Sequence, residues 1–406
     1  MFLRRPDLLR FVASRALGGV AMQMTSVAMG WLVYARTGSA YALGLIGLFQ
    51  FLPAIPLVAA TGHVADHFPR RWVASASLAV QVVGCLAIFV FDGSRLGMAW
   101  LYGLVLVLGA VRAFAPPAQQ ALLASLVPAE ELSRAVALSS STSQLAVIAG
   151  PALGGIAYAT MGRSAFLIAG ALQLAAIVLM LSVREVRTAR APEAGGVWAR
   201  AFAGLTYVRS NRLLLGAISL DLFAVILGGV TSLLPIFARD ILKVGPVGLG
   251  LLQSAPAIGA ATVGFSLAHL QLRRHAGAVI LWAVAGYGLA TVIFGLSRSF
   301  PLSLLAMVAL GGFDMVSVVV RQTLEQVATP EAMRGRVSAV SSVFVSGSNR
   351  LGDFESGMVA GLVGAPIAAV IGGVGSILTV ALMALAVPEL RKADRLHPDA
   401  SPGSKS

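Results

Sequence analysis

Gln120–Ser140 reads QALLASLVPAEELSRAVALSS, and Gln322–Ser342 reads QTLEQVATPEAMRGRVSAVSS. Laid over one another at an offset of 202 residues, they match Gln120 with Gln322, Leu122 with Leu324, Pro128 with Pro330, Arg134 with Arg336, Ala137 with Ala339, Ser139 with Ser341 and Ser140 with Ser342. The chain has 406 residues, so the offset is about half its length. A chain that repeats itself at half-length and is apolar throughout has the pattern of a polytopic membrane protein assembled from two like halves.

Composition points the same way. With 57% hydrophobic residues, 12% charged residues and a mean hydropathy of +0.86, a water-soluble fold would expose far more apolar surface than it could hide. Apolar runs of about 20 residues, the length of a membrane crossing, occur at 9–36, 41–62, 72–91, 97–118, 134–159, 164–183, 212–238, 247–270, 276–296, 301–321, 337–360 and 365–387. Six fall in each half. The punctuation between runs is short, as at Thr37-Gly38-Ser39 and Gly245-Pro246, and can only join antiparallel neighbours. A spanning segment must satisfy its own backbone groups in hydrocarbon, so helices are expected throughout. The expected organisation is a first six-helix bundle over 1–183, a cytoplasmic linker over 184–211, a second bundle over 212–388 and a solvated cytoplasmic tail over 389–406.

Orientation follows from Lys and Arg, which resist translocation near span ends. With the N-terminus in the cytoplasm, 20 of the 30 basic residues lie on the cytoplasmic side and six face out, while Arg15, Arg112, Arg321 and Arg350 lie within or at the ends of spans. An even number of spans returns the C-terminus to the cytoplasm. The net charge of +13 is scattered over loops, without a basic helix or an aromatic-basic platform, so topology explains it and nucleic acid is not an expected partner. Cys85, the single cysteine, lies mid-span with no thiol partner and reads as packing. His63 and His67 have i, i+4 spacing but lack the Glu and third ligand of a zinc site, so no metal is expected. No phosphate loop of the G-x-x-x-x-G-K-[ST] type is present, which leaves ATP without a binding motif.

The loop after the second run, Gly62-His63-Val64-Ala65-Asp66-His67-Phe68-Pro69-Arg70-Arg71, resembles the G-x-x-x-D-x-x-x-R-R signature of the major facilitator superfamily. In that family it is a cytoplasmic gate element, which assigns Gly62, Asp66, Arg70 and Arg71 to a gate. Arg112 in the fourth run matches the family's intramembrane arginine. Gly150, Pro151, Gly154 and Gly155 in the fifth resemble the G-P-x-x-G-G motif of antiporters, which makes a bendable, closely packed helix at an interface. Further stretches, among them Asp221 to Leu242 and Gly352 to Gly357, are similar to a narrower branch, the drug and siderophore exporters related to the enterobactin exporter. The counterpart of the gate loop in the second half, LQLRRHA from Leu270, keeps the basic residues and lacks the Asp. The resemblance implies an all-α membrane protein, twelve transmembrane helices in two pseudo-symmetric six-helix bundles.

Ionisable side chains at mid-span are costly, about 2.5 to 3.5 kcal/mol each, and so usually face a cavity or a partner. The 202-residue offset sets Arg112 against Asp314, a positive wall in one half against a negative one in the other. Asp221 lies about ten residues into the seventh run. Arg112, Asp221 and Asp314 are therefore the candidates for the cavity and for proton coupling, the alternative being that a carboxylate permanently neutralises Arg112. The offset also places Asp353 and Glu355 where the fifth run has Pro151 and Leu153. Arg350 precedes Asp353 by three positions and can pair with it; this trio reads as a structural cluster, as an outer gate or proton site, or as charges left in water by a span that ends earlier. Arg15 is expected to snorkel to the surface. Trp31, Tyr34, Phe49, Phe51, Phe223, Phe237 and Phe313 are available to stack on a ligand.

These readings lead to the expectation of a monomeric secondary active exporter of the cytoplasmic (inner) membrane, powered by the proton gradient without a cofactor; its substrate class, a siderophore or amphipathic drug-like small molecule, is implied by the resemblance alone. An uptake permease on the same fold is the alternative. A polytopic membrane enzyme would need a nucleophile, metal or catalytic carboxylate pair that the sequence does not display.

Overall fold

The structure, a computed structural model, describes residues 5–53, 56–57, 61, 64, 68–91, 97–184, 197–269 and 275–392. The described residues are helical and contain no strand. In chain order the helices are α1 Pro6–Thr37, α2 Ala40–Phe51, α3 Arg70–Phe91, α4 Ala99–Arg112, α5 Ala115–Leu126, α6 Ala129–Met161, α7 Ala165–Leu181, α8 Val197–Ser210, α9 Arg212–Gly228, α10 Gly245–His269, α11 Ala276–Leu296, α12 Phe300–Ala328, α13 Glu331–Val363, α14 Ala365–Ala386 and α15 Pro388–Lys392. Between α9 and α10 the chain turns through short 3₁₀ and α segments and a π turn at Phe237–Ile241.

Local chemistry explains the breaks. Gly38 closes α1 at φ 58°, a left-handed conformation that glycine adopts at no steric cost, and Ser39 then caps α2 by accepting from the Ala42 amide. Asn211 Oδ1 starts α9 by accepting from Leu213 N at 3.1 Å and Leu214 N at 3.3 Å. Pro128 and Pro330 stand immediately before α6 and α13, whose first amides need no helical partner.

Among the described residues, nine stretches are long and apolar enough to cross a bilayer, and one of these, Ala129–Leu181, contains both α6 and α7. Ala40–Phe51 is apolar but short. α13 has 33 residues, and its charges keep it out of that set. The helices are thus consistent with the twelve runs of the sequence. Large apolar side chains such as Val178, Phe265, Trp282, Leu362 and Leu385 are exposed, as lipid-facing residues would be.

The chain divides into two compact units. Unit 1 comprises residues 1–194 and 231–257, and unit 2 comprises 195–230 and 258–406. In unit 1, α1 packs on α6 and α7, and α3 packs on α7. In unit 2, α9 packs on α13 and α14, and α11 packs on α14. The second set is the first advanced by half the chain. α6 and α13 carry the repeat most faithfully, since both have 33 residues and both their ends differ by the 202 of the sequence offset. Leu122 and Leu324 are buried in the cores of their respective units.

Two expectations change. The linker contains a helix, α8, that belongs to unit 2: Val208 is buried with Val337 and Val340, and Tyr207 donates to the Ala328 carbonyl at 2.9 Å. The tail is not solvated from its first residue, because α15 places Leu390 in the core with Leu220 and Ile280. Both segments carry apolar residues at helical spacing between charged ones, and burial of those residues decides their conformation.

Candidate functional site

Arg321 lies on α12, 3% exposed, with its guanidinium inside unit 2. Asp221 of α9 meets it with Oδ2 at 3.5 Å from Nη2. Glu325, one turn along α12, meets it with Oε1 at 3.5 Å from Nη1. Nη1 also donates to Ser341 Oγ of α13 at 3.0 Å, and Ser341 Oγ donates in turn to Glu325 Oε1 at 2.6 Å. Three helices therefore converge on one buried arginine. The charge of such a group must be met from several sides at once, as it is here, although Nε is buried with no hydrogen-bond partner among the described residues.

The network borders a cavity of about 790 Å3 at the end of unit 2 that carries the α12–α13 turn. Arg321, Gln322, Glu325 and Gln326 of α12 line one wall, and Arg334, Ser338, Ser341, Ser342 and Ser346 of α13 line another. Amides, hydroxyls and charges line it together with Val318, Val337 and Val345. Its volume is that of a small-molecule site.

Asp314 sits on α12, partly buried, within the electrostatic field of Asp221 and Arg321. Tyr287 of α11 lies within the field of Asp221, Asp314 and Asp353 and donates to the Gly228 carbonyl at 3.0 Å. Asp221 and Asp314 are thus neighbours of one site. The buried ion pair that Asp221 makes is with Arg321, a residue that the sequence placed in or near a span without a role. The signal was present: a charged residue in the tenth apolar run, four positions before a glutamate.

Arg350 and Asp353 are 3.8 Å apart on α13, the i, i+3 pair that the sequence suggested. Glu355 accepts from Ser356 Oγ at 3.3 Å. Gly352 lies against α9, where a methyl group would come within 2.6 Å of the Val225 carbonyl oxygen.

In unit 1, Arg112 lines a narrow pocket with Thr25, Ser26, Met29, Gln50, Val105 and Leu108. At about 10 Å3 it has room for about one water. Gly150 and Gly154 seat α6 on α1: a methyl on either would come within 2.6 Å, of Gln23 Cβ and Met24 Cα respectively. Gly155 meets the backbone of Pro246 and Gly250, and Pro151 is buried in the same helix. Val225 and Gln23 are themselves 202 residues apart, as are Gly352 and Gly150, so the repeat extends to individual helix contacts.

Gly62 and Asp66 of the gate motif, and residues 270–274 of its counterpart, lie outside the described residues. Arg70 Nη1 donates to the Ala121 carbonyl at 3.0 Å and Arg71 Nη1 to the Val183 carbonyl at 3.2 Å, both within unit 1. Arg15 does not snorkel. Its Nη1 donates to Ser139 Oγ at 2.7 Å, and the group stacks on Phe11, because a hydroxyl in reach satisfies it better than a stretch to the surface would.

A second cluster in unit 1 went unread in the sequence. Tyr34 Oη donates to Asp240 Oδ2 of the π turn, and Arg239 Nη1 donates to the Tyr34 carbonyl at 3.0 Å with its guanidinium over the ring. A π turn has no sequence pattern comparable to helical periodicity, and such turns recur at functional positions. Of the aromatics considered for stacking, Phe49 pairs with Tyr102 at 5.4 Å between centroids and Phe237 is fully buried, so both serve packing.

Two halves with the same helix packing, buried charges and a polar cavity define a membrane transporter. Residues 9–403 match the transmembrane secretion effector family, and the chain belongs to that family of the major facilitator superfamily, whose members are membrane transporters and not enzymes. It is 26% identical to the multidrug efflux pump Tap of Mycolicibacterium fortuitum over 383 residues, covering 89% of this chain and 91% of the relative. It is also 26% identical to the enterobactin exporter EntS of Citrobacter koseri over 394 residues, covering 95% and 91%. In fold it is similar to the crystal structure of a point mutant of the nucleoside transporter NupG, with a TM-score of 0.76, 12% identity, and coverage of 93% of this chain and 99% of that one. An inward-facing, unoccupied bacterial homologue of the human lysosomal transporter Spinster superposes with a TM-score of 0.71 at 16% identity, covering 95% and 96%.

Proposed function

We propose that the chain is a proton-coupled exporter of the cytoplasmic membrane, with both termini in the cytoplasm, that moves a siderophore or an amphipathic drug-like molecule by alternating access. The observation that carries this reading is Arg321, held between Asp221 and Glu325 at the edge of a polar cavity. A guanidinium shared by two carboxylates on different helices is a bistable element, because neutralising one carboxylate changes which helix the arginine holds. Two relatives named as exporters, each aligned along most of its length, support the direction of transport. The hydroxyl- and amide-rich lining suits a ligand with many hydrogen-bonding groups, as a siderophore has.

The test uses everted membrane vesicles energised to an acidic interior, with enterobactin and ethidium as probes. Uptake of either that collapses on adding a protonophore supports proton-driven export. Uptake that equilibrates at the same rate with and without the gradient identifies a facilitator and overturns the coupling, and failure to move either probe overturns the substrate class.

A further inference from the structure

Among the positions at which the repeated stretches differ inside the site, one changes an apolar side chain for a carboxylate: where the first has Leu123, the second has Glu325. Leu123 is packed in the core of unit 1, whereas Glu325 lies on the cavity wall of unit 2. The serine is present in both copies and receives an arginine in both, Ser139 from Arg15 at 2.7 Å and Ser341 from Arg321 at 3.0 Å. Among the described residues, only Ser341 has a carboxylate on its other side.

A hydroxyl has one proton to give and two lone pairs to accept with. While Glu325 is ionised, the Ser341 proton lies toward Glu325 Oε1 and its oxygen receives Arg321. In that state one buried cation faces two carboxylates, Asp221 and Glu325, an excess of negative charge that costs free energy away from water. A proton that binds Glu325 leaves Arg321 and Asp221 as a balanced pair. The new acid must then donate, and Ser341 Oγ is the oxygen beside it. The serine proton turns away, and the hydroxyl accepts from both sides.

The groups around Glu325 are Arg321 on its own helix, Asp221 on α9 beyond the arginine, and Ser341 and Arg334 on α13, with Asp314 in the field of Asp221 and Arg321. Asp221 meets Arg321 from α9, and Glu325 is the carboxylate of this cluster on the cavity wall.

We infer that Glu325 is the carboxylate that exchanges protons with the cavity, and that Ser341 is a positioning residue that transmits its protonation state to Arg321. This rests on the proton-coupled reading above, and its test needs no transported substrate, so the two can fail separately. Infrared titration of the purified full-length protein in detergent follows the carboxylic acid C=O stretch with pH. The expected result is a titrating component of the acid band that Glu325→Gln removes and that Glu130→Gln, at an exposed carboxylate of unit 1, leaves in place. Ser341→Ala removes the hydroxyl beside this carboxylate and shifts the midpoint, and Ser341→Thr restores it. Glutamine is isosteric with glutamate, and thermal unfolding shows that each variant is folded before it is titrated. A titration from which Glu325→Gln removes no component, or a midpoint unmoved by Ser341→Ala, overturns the inference.

Discussion

Ser139 and Ser341 occupy the same place in the two copies of the repeat, and each accepts a hydrogen bond from an arginine that reaches it from another helix, Arg15 of α1 and Arg321 of α12. The position is kept while the donor changes helix. What the repeat preserves here is a buried hydroxyl able to receive a guanidinium, and the surroundings decide whether that bond is static or answers to a nearby charge.

Breaking the buried pair has a large cost. Asp221→Asn leaves Arg321 with one counterion in place of two, and loss of one partner of a buried pair typically costs about 3 to 5 kcal/mol. Thermal unfolding in detergent is expected to show a strongly lowered midpoint for Asp221→Asn, and the double variant Asp221→Asn/Arg321→Gln recovers part of it. Additive losses would show that the two residues do not act as a pair.

Function separates from stability at Asp314. It lies near Arg321 without a direct ion pair to it among the described contacts, so Asp314→Asn should express and fold close to normally. In everted vesicles it is expected to reduce proton-driven uptake of enterobactin or ethidium by tenfold or more. A wild-type rate at matched expression would remove Asp314 from the coupling site.

The glycine contacts predict a graded series. Gly154→Ala and Gly352→Ala each drive a methyl group to within 2.6 Å of a neighbouring helix backbone, and overpacking of this kind costs about 1 to 3 kcal/mol. A methyl group on Gly335 of α13 would meet nothing within 4 Å, so Gly335→Ala is neutral or stabilising by up to about 1 kcal/mol from helix propensity alone. Unfolding midpoints read out the order.

The linker helix should come loose on a single change. Gly204 abuts the Arg336 carbonyl, where a methyl would lie at 2.6 Å. Gly204→Leu is therefore expected to displace α8 and unwind the helix around the already exposed Arg209, with tryptic cleavage there at least several-fold faster than in the wild type. Equal cleavage rates would show that the helix is not held by this contact.

Much of the fold was legible because its signals are periodic and long: apolar runs, a repeat at a fixed offset, and glycines where helices meet. The pairing of Arg350 with Asp353 was readable from spacing on one helix. The Arg321 network was not, because it joins three helices and depends on which way each turns. Asp221 could be read as a buried charge, but its partner stands 100 residues away in a different helix. The Tyr34, Arg239 and Asp240 cluster was hidden for a related reason, since a π turn re-aims its side chains by local winding and leaves no mark on composition.

Where Gly154 meets Met24, and where Gly352 meets Val225, main chain rests on main chain with no side chain between to rearrange. Side-chain packing can absorb a small displacement by changing rotamer, and a backbone contact has no such slack. α1 with α6, and α9 with α13, are in this sense stiff beams, each a doubled rod that tilts as one piece. In unit 2 both rods of the beam reach the Arg321 network, α9 through Asp221 and α13 through Ser341.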